Sequence, residues 1–455
     1  MRNGTFSVDQ RRVVVVGAAR SGVAAAGLLA KRGASVVLTD LRPAIESADA
    51  LRAAGVSLEL GAHRPESLAR ADLVVVSPGV PLEQPALQAA RDRGVEIIGE
   101  LELAWRWISG RVVAITGTKG KSTTTTLVGR MLAASGRKVL VGGNIGVPLS
   151  AQVEQSTSDT VHVVETSSFQ LETTATFRPW IAVWLNFADD HLDRHPHVEA
   201  YASAKARIFS SQTAEDWAVI NADDAVVAEQ ARGIRAQRVL FSPDGRAAEG
   251  FMVDGEWIVK RTAAGVARLV PVAAVELTGR HMLHNVLAAT ATASTAGCAS
   301  EPMTTALRGF RGLEHVMEPA GEVNGVRFVN DSKATNVEAA RRSIESFTGV
   351  VAIVGGRFKG GDLTALRGPL AAAGRAVVAI GEAAPRVREA LTGVVPIVDA
   401  ASMREAVERG YEAAAPDGVV LLAPACASFD WFRDYAERGN AFKSEVQRLK
   451  ERVGG

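Results

Sequence analysis

The chain has 455 residues, 47% hydrophobic, 22% charged and 5% aromatic, with a formal net charge of +1. That length exceeds what one hydrophobic core supports, and at roughly 150 residues per domain it points to about three domains. The composition excludes a disordered chain and the near-zero charge excludes a broad attraction to nucleic acid, so small molecules are the expected partners.

At the N-terminus Arg11 and Arg12 precede Val13 to Val16, but Gly17 ends that apolar run far short of a signal-peptide core. No apolar run approaches the ~18 residues of a membrane span, so a cytoplasmic protein without membrane contact is expected, and a monomer. The two cysteines, Cys298 and Cys426, exclude a disulfide framework and fit a reducing compartment.

The first segment alternates strand and helix: Val13 to Val16, a helix from about Ser21 to Arg32, Ser35 to Thr39, a helix near Ala48 to Ala54, then Leu73 to Val76. This order implies a parallel sheet with right-handed crossovers. Gly17-Ala18-Ala19-Arg20-Ser21-Gly22 follows the opening strand, and Asp40 ends the second, where a dinucleotide fold carries its ribose-binding acid. The middle glycine of that fingerprint is Ala19 here, and its missing side chain is what admits a pyrophosphate. NAD, another nucleotide in the same crevice, and a structural tight turn are the three readings of this loop.

A second unit starts after Glu100-Leu101-Glu102 with a strand from Arg111 to Ile115 that runs into Gly117-Thr118-Lys119-Gly120-Lys121-Ser122-Thr123 and a helical pattern. The glycines let backbone N–H groups turn inward, Lys121 reaches the β/γ-phosphates, and the Ser122 hydroxyl suits Mg²⁺. Only two residues separate Gly117 from Gly120, so the usual P-loop spacing is matched in its second half and an ordinary Gly-rich turn is the alternative. Lys138 to Val141, Val161 to Val164 and Ile181 to Leu185 follow as continuous apolar runs, the mark of strands covered on both faces. Glu165 ends one of them, and Asn186, Asp189, Asp190 and His191 follow another, so these groups are expected beside the phosphate loop. A carboxylate there can hold Mg²⁺; capping a strand or pairing with arginine is the alternative for Glu165 and His191. His191 and His195, with His197 nearby, have a spacing that also admits zinc, although no His-Glu-x-x-His signature is present. Lys205, taken alone, reads as a solvated helix lysine. Between about Gln237 and Leu277 the texture turns to hairpin-like pieces with Asp244-Gly245 and Asp254-Gly255 as turns, a small antiparallel sheet.

An Ala-rich helix from Gly279 to Thr295 precedes a third α/β unit from near Arg311, with strands at Val326 to Val329, Val350 to Val354, Val377 to Ile380, Val394 to Val398 and Val419 to Leu422. Polar loops follow these strands: Asn330 to Asn336, Gly355 to Asp362, and Ala425 to Asp430 with Ser428. Thr335, Lys359 and Ser428 form a plausible pocket for an anionic amino acid, with lysine as counter-ion and hydroxyls as donors. Cys426 as a nucleophile lacks a neighbouring histidine.

Together these blocks resemble the Mur ligases of peptidoglycan synthesis, essentially end to end. The motifs that carry the resemblance are Gly117 to Thr123, Glu165 to Glu172, Asp190 to His195, Gly279-Arg280-His281 with Asn285, Asn330 to Asn336, and Leu422 to Phe432. Ser122 follows Lys121 directly, unlike the related folylpolyglutamate synthases, whose phosphate loop has an extra glycine there. The resemblance implies an ATP-dependent amide-forming ligase that adds D-glutamate to UDP-N-acetylmuramoyl-L-alanine. It implies ATP on Gly117, Thr118, Lys119, Gly120, Lys121, Ser122 and Thr123, with Asn285 and Asp331 near the adenosine. Two Mg²⁺ ions would be served by Ser122, Glu165, His191 and Lys205, the last carbamylated, with Lys121, Glu165, His191 and Lys205 catalytic. The UDP-sugar would follow Ser21, Asp40, Arg42, Ser77, Gly79 and Asn144 toward Ser167 and Gln170, and D-glutamate would meet Thr335, Lys359, Ser428, Phe429 and Tyr435. Lys119 stands where the family has asparagine, Val316 where it has arginine, Met282 for asparagine, Arg357-Phe358 for a pair in which an acid is common, and Tyr435 for phenylalanine.

The expected fold class is therefore α/β in three domains: a Rossmann-like UDP-substrate domain over 1–100, a P-loop ATPase-like parallel sheet with its small antiparallel sheet over 101–310, and a Rossmann-like amino-acid domain over 311–455. A nicotinamide-dependent oxidoreductase and a P-loop NTPase acting on a macromolecule are the rival functions.

Overall fold

β-Branched residues lose little χ1 freedom in an extended backbone and pack well on a pleated surface, so the valine-rich runs form strands. A computed structural model describes residues 6–188, 194–195, 197–275, 280–310 (backbone alone at 280 and 281), 312–358 and 360–453. The chain divides into two compact units, Met1–Phe310 and Arg311–Gly455.

The first unit opens with β1 (Arg12–Val16), β2 (Ser35–Asp40), β3 (Ser57–Leu60), β4 (Leu73–Val76) and β5 (Glu96–Gly99), all parallel in the order β3-β2-β1-β4-β5. Alternate residues supply two cores: Val13, Val15 and Val75 pack with Leu29 and Leu38 on one face, while Val14, Val16 and Val76 meet Leu68 and Leu87 on the other. The strand order reverses between β1 and β4, which opens a crevice at their carboxyl ends. The short, partly exposed strands β3 and β5 have too little apolar patterning to be read from sequence.

The same unit continues with β6 (Arg111–Thr116), β7 (Lys138–Gly143), β8 (Thr160–Glu165), β9 (Ile181–Trp184), β10 (Trp217–Asn221), β11 (Gln237–Ser242), β12 (Gly250–Asp254), β13 (Trp257–Thr262) and β14 (Gly265–Pro271). They form one nine-stranded sheet, β14-β13-β12-β11-β10-β9-β6-β8-β7. The antiparallel strands β12 to β14 are thus the outer strands of the central sheet, joined to it through β11, with Gly255 at φ +57 in the β12–β13 turn. Double coverage holds for β6, β8 and β9 but not for β7, which is the sheet edge and leaves Val141 37% exposed. Leu28 of the helix Arg20–Lys31 packs in one cluster with Leu101, Ala104, Leu149 and Trp184, so the two sheets of this unit share a core.

The link between these sheets is the helix Glu100–Trp105, where fully buried Glu102 accepts hydrogen bonds from the backbone N–H groups of Ala175, Thr176 and Phe177 at 2.9, 3.0 and 3.0 Å. It also accepts from Thr176 Oγ1 at 2.6 Å and Arg106 Nε at 3.1 Å.

In the second unit β15 (Glu318–Val323), β16 (Val326–Asn330), β17 (Val350–Gly355), β18 (Gly374–Ile380), β19 (Ile397–Ala400) and β20 (Val419–Leu422) assemble as β15-β16-β20-β17-β18-β19, with β15 antiparallel. The strand expected at 394–398 lies at 397–400, because Pro396 has no N–H and contributes only its carbonyl, to Val377 N. No described helix is long and apolar enough to cross a membrane.

Replacing Glu102 by alanine would strand five donors. The expected loss is about 3 kcal/mol of stability in denaturant titration, larger than for a typical surface carboxylate.

Candidate functional site

The crevice between β1 and β4 is a cavity of about 440 Å³ lined by Gly17, Ala19, Arg20, Ser21, Asp40, Arg42, Ser77, Pro78, Gly79, Val80 and Asn144. It brings together six residues the sequence singled out for a UDP-sugar: Ser21, Asp40, Arg42, Ser77, Gly79 and Asn144. Gly17 turns the chain at φ +94, and Gly22 must be glycine because a Cβ there would sit 1.8 Å from the Gly17 carbonyl oxygen. Asp40 accepts from Ala18 N at 2.6 Å and from the Arg42 guanidinium at 2.8 and 3.0 Å. Those Arg42 bonds hold its carboxyl far below the usual range. Asp40 is therefore one half of an ion pair, not the lone acid that a dinucleotide fold offers to a ribose.

The phosphate loop leaves β6 and enters the helix Lys121–Ala134 through Gly120, whose φ of +80 requires glycine. Asn186, beyond β9, clamps it: its Oδ1 accepts from Thr118 N at 3.1 Å and Lys119 N at 2.9 Å, and its Nδ2 donates to Lys119 O at 3.1 Å. Those two N–H groups are turned to Asn186, which narrows the cradle to the later loop residues and the helix start. Lys121 Nζ donates to the carbonyls of Gly117 and Thr118, each at 3.0 Å. Asn285 lies over Gly120, where a Cβ would be 2.1 Å from its Oδ1, and its Nδ2 has the Met282 thioether 3.7 Å away.

Glu165 is carried to the same edge because β6 and β8 pair in register, Ile115 against Glu165. It is 2% exposed; its Oε1 accepts from Asn144 Nδ2 at 2.7 Å, and its Oε2 is buried with no partner. An orphaned carboxylate oxygen beside a phosphate loop fits a hard cation such as Mg²⁺. Among the described residues no group of three or more His, Cys, Asp and Glu side chains could hold a metal.

Lys205 is not the solvated lysine its local sequence suggests. It is 1% exposed in the helix Val198–Ala206, donates to the Gly117 carbonyl at 2.8 Å and lies 4.6 Å from the Tyr201 ring centroid. Ser167 and Gln170 form a reciprocal capping box at the helix Ser168–Glu172, leaving Gln170 Nε2 buried and unpartnered. The zinc reading fails for the described histidines. His195 Nε2 meets Ser168 Oγ and its Nδ1 meets Glu172, each at 3.0 Å, and His197 Nδ1 caps a helix by accepting from Ala200 N. His191 and Lys359 lie outside the described residues, as do Asp189 and Asp190.

In the second unit the loops after β16, β20 and β17 meet at adjacent strand ends. Ala425 N donates to Ala334 O at 3.0 Å, Gly355 N to Pro424 O at 2.8 Å, and Arg357 N to Ala427 O at 2.9 Å. Thr335 is half-buried, Ser428 is buried, and Phe429 and Tyr435 are exposed. Asp331 is buried, accepting from Met317 N at 3.1 Å and pairing with Ser343 Oγ; burial raises its pKa.

Residues 11–99 match the N-terminal domain of MurD-like Mur ligases, 115–293 the Mur ligase middle domain and 317–426 the Mur ligase glutamate ligase domain. The chain belongs to the Mur ligase family. It is 43% identical over 447 residues to a UDP-N-acetylmuramoylalanine–D-glutamate ligase of Desulfosudis oleivorans, covering 97% of each chain. Identity is 45% over 442 residues, 96% of each chain, to the enzyme of that name from Acidobacterium capsulatum. Its fold is similar to that of a UDP-N-acetylmuramate-alanine ligase from Thermotoga maritima, with a TM-score of 0.58 at 19% identity over 97% of this chain and all of that one.

Within this Mur ligase, two departures from the family pattern have local partners. Arg357 pairs with Glu382 at 2.9 Å, and Phe358 packs on the core with Arg386 above its ring. Sequence reasoning did not single out Arg20, which lines the crevice and donates to the Gly146 carbonyl at 3.0 Å, and it placed Asn186 at the phosphate-loop edge without its part as a clamp. Cys426, fully buried with its thiol pushed up to about 11 by burial, is excluded as a nucleophile.

Asn186→Ala removes three bonds to the phosphate loop while leaving Lys121 and Ser122 intact. ATP affinity measured by calorimetric titration is expected to fall by about tenfold, and an unchanged affinity would show that the clamp does not shape the loop.

Proposed function

We propose that this Mur ligase joins D-glutamate to UDP-N-acetylmuramoyl-L-alanine in the cytoplasm, acting as a monomer and converting ATP to ADP and phosphate. The observation that carries the reading is Asn144, which lines the nucleotide-sized crevice and also donates to Glu165 at the phosphate-loop edge. A substrate lying along the crevice would reach the triphosphate through that one side chain.

The substrate carboxylate attacks the γ-phosphorus, its oxygen forming the new P–O bond as the bond to ADP breaks. The glutamate amine then adds to the acyl phosphate carbon, loses a proton, and the tetrahedral intermediate expels inorganic phosphate. Lys121 and the loop N–H groups from Gly120 onward hold the transferring group, and their placement lowers the barrier by electrostatic stabilisation. Ser122, Glu165 and a carbamylated Lys205 would hold Mg²⁺, proposed as two ions, which when bound would supply charge neutralisation to the phosphoryl group. Carbamylation replaces a buried ammonium by an anionic oxygen donor, and the carbamate N–H can keep the bond to the Gly117 carbonyl. His191 is assigned to orienting the acyl phosphate on the sequence pattern alone.

Ser21, the Asp40–Arg42 pair, Ser77, Gly79 and Asn144 take the UDP-sugar, with Ser167 and Gln170 toward its acyl end; the unpartnered Gln170 amide supports that assignment. Asn285 serves the adenosine side, as does Asp331. Thr335, Lys359, Ser428, Phe429 and Tyr435 take D-glutamate. The roles divide along the chain as UDP-sugar for 1–100, ATP for 101–310 and amino acid for 311–455.

Phosphate release is expected only when ATP, UDP-N-acetylmuramoyl-L-alanine and D-glutamate are all present, with labelled carboxyl oxygen appearing in the phosphate. Release without D-glutamate would favour a plain NTPase. Glu165→Gln is expected to raise the Mg²⁺ concentration for half-maximal rate by about tenfold or more, read by metal titration at saturating substrates.

A further inference from the structure

The helix Tyr435–Val453 buries Arg438 one turn from its start, at 1% exposure. Its Nε donates to Ser332 Oγ at 2.9 Å, its Nη2 to the Ser332 carbonyl at 2.8 Å and its Nη1 to the Cys426 carbonyl at 3.1 Å. All three acceptors are neutral, and no carboxylate among the described residues forms an ion pair with it. Room for the guanidinium is kept by Gly356, where a Cβ would lie 3.2 Å from Nη1 and 2.3 Å from the Ala427 carbonyl oxygen. Burial lowers the arginine pKa to about 10, so the group is still a cation at neutral pH. The Asp430 carboxylate favours the charge through space, but a buried cation whose hydrogen bonds all go to neutral groups is still expensive, and an apolar side chain would fill the space at less cost.

Its partners explain the expense. Ser332 lies in the loop that carries Thr335, and Cys426 in the loop that carries Ser428. Ser332 Oγ also donates to the Tyr435 carbonyl at 2.7 Å. Two loops bearing amino-acid-pocket residues therefore hang on one planar fork, and Ser332 ties the first of them to the helix that carries Tyr435; a lysine could not copy that geometry.

We infer that Arg438 is a positioning residue for the incoming amino acid: its guanidinium fixes the spacing of the Thr335 and Ser428 loops and adds the positive potential that a substrate with two carboxylates requires. This rests on the D-glutamate reading above.

The test is steady-state kinetics of the full-length enzyme with Arg438→Lys, Arg438→Ala and Ser332→Ala, each checked by circular dichroism and thermal unfolding. The KM for D-glutamate is expected to rise by about tenfold or more in both arginine variants and by about threefold in Ser332→Ala, with the KM values for ATP and the UDP-substrate unchanged. Added guanidinium ion should restore the glutamate KM of Arg438→Ala and leave Ser332→Ala unaffected. If Arg438→Ala does not fold, the lysine and serine variants decide. Unchanged glutamate KM, or all three KM values rising together, overturns the role. A wild-type enzyme that ignores D-glutamate sinks the underlying reading and this one with it; a wild-type enzyme that uses it while the variants keep its KM sinks only the role of Arg438.

Discussion

The carbonyl oxygen of Gly117 receives two lysine side chains, Lys121 at 3.0 Å and Lys205 at 2.8 Å. Two ammonium groups brought to one carbonyl concentrate positive charge there. Anionic oxygens, either as phosphates or as a carboxylate group on one of the lysines, are stabilised by such a pair. The glycine at 117 makes the arrangement possible, since its φ of +156 aims that carbonyl between the two helices that supply the lysines. The Asn186 clamp and the unpartnered Glu165 oxygen lie at the same edge, around this concentration of positive charge.

Much of this was legible in the sequence. Runs such as Val13 to Val16, Leu73 to Val76 and Val419 to Leu422 are strands because β-branched and leucine residues buried on both faces leave no other periodicity to read. The site loops were legible for the same reason: strand ends in parallel sheets collect polar groups at one edge. The edge strands β3 and β5 escaped, since they are short, partly exposed and carry mixed residues. Lys205 escaped as well, because a helix with so weak an apolar stripe gives no local sign of which face is buried.

The roles that sequence reasoning missed share a feature. Asn186 and Arg438 act on backbone atoms of loops far away in the chain, and hydrogen bonds to a main-chain carbonyl or N–H leave no trace in residue spacing. Glu102 works in the same way, gathering three consecutive N–H groups about seventy positions further along. Such groups tie irregular connections to distant side chains, so these loops take their geometry from outside their own sequence.

The shared packing around Leu28 has an evolutionary corollary. Two sheets whose apolar residues interlock in one cluster cannot be exchanged separately with a distant homologue without opening holes on both sides. A chimaera joined near Glu100 would therefore have to repair both faces of that cluster at once.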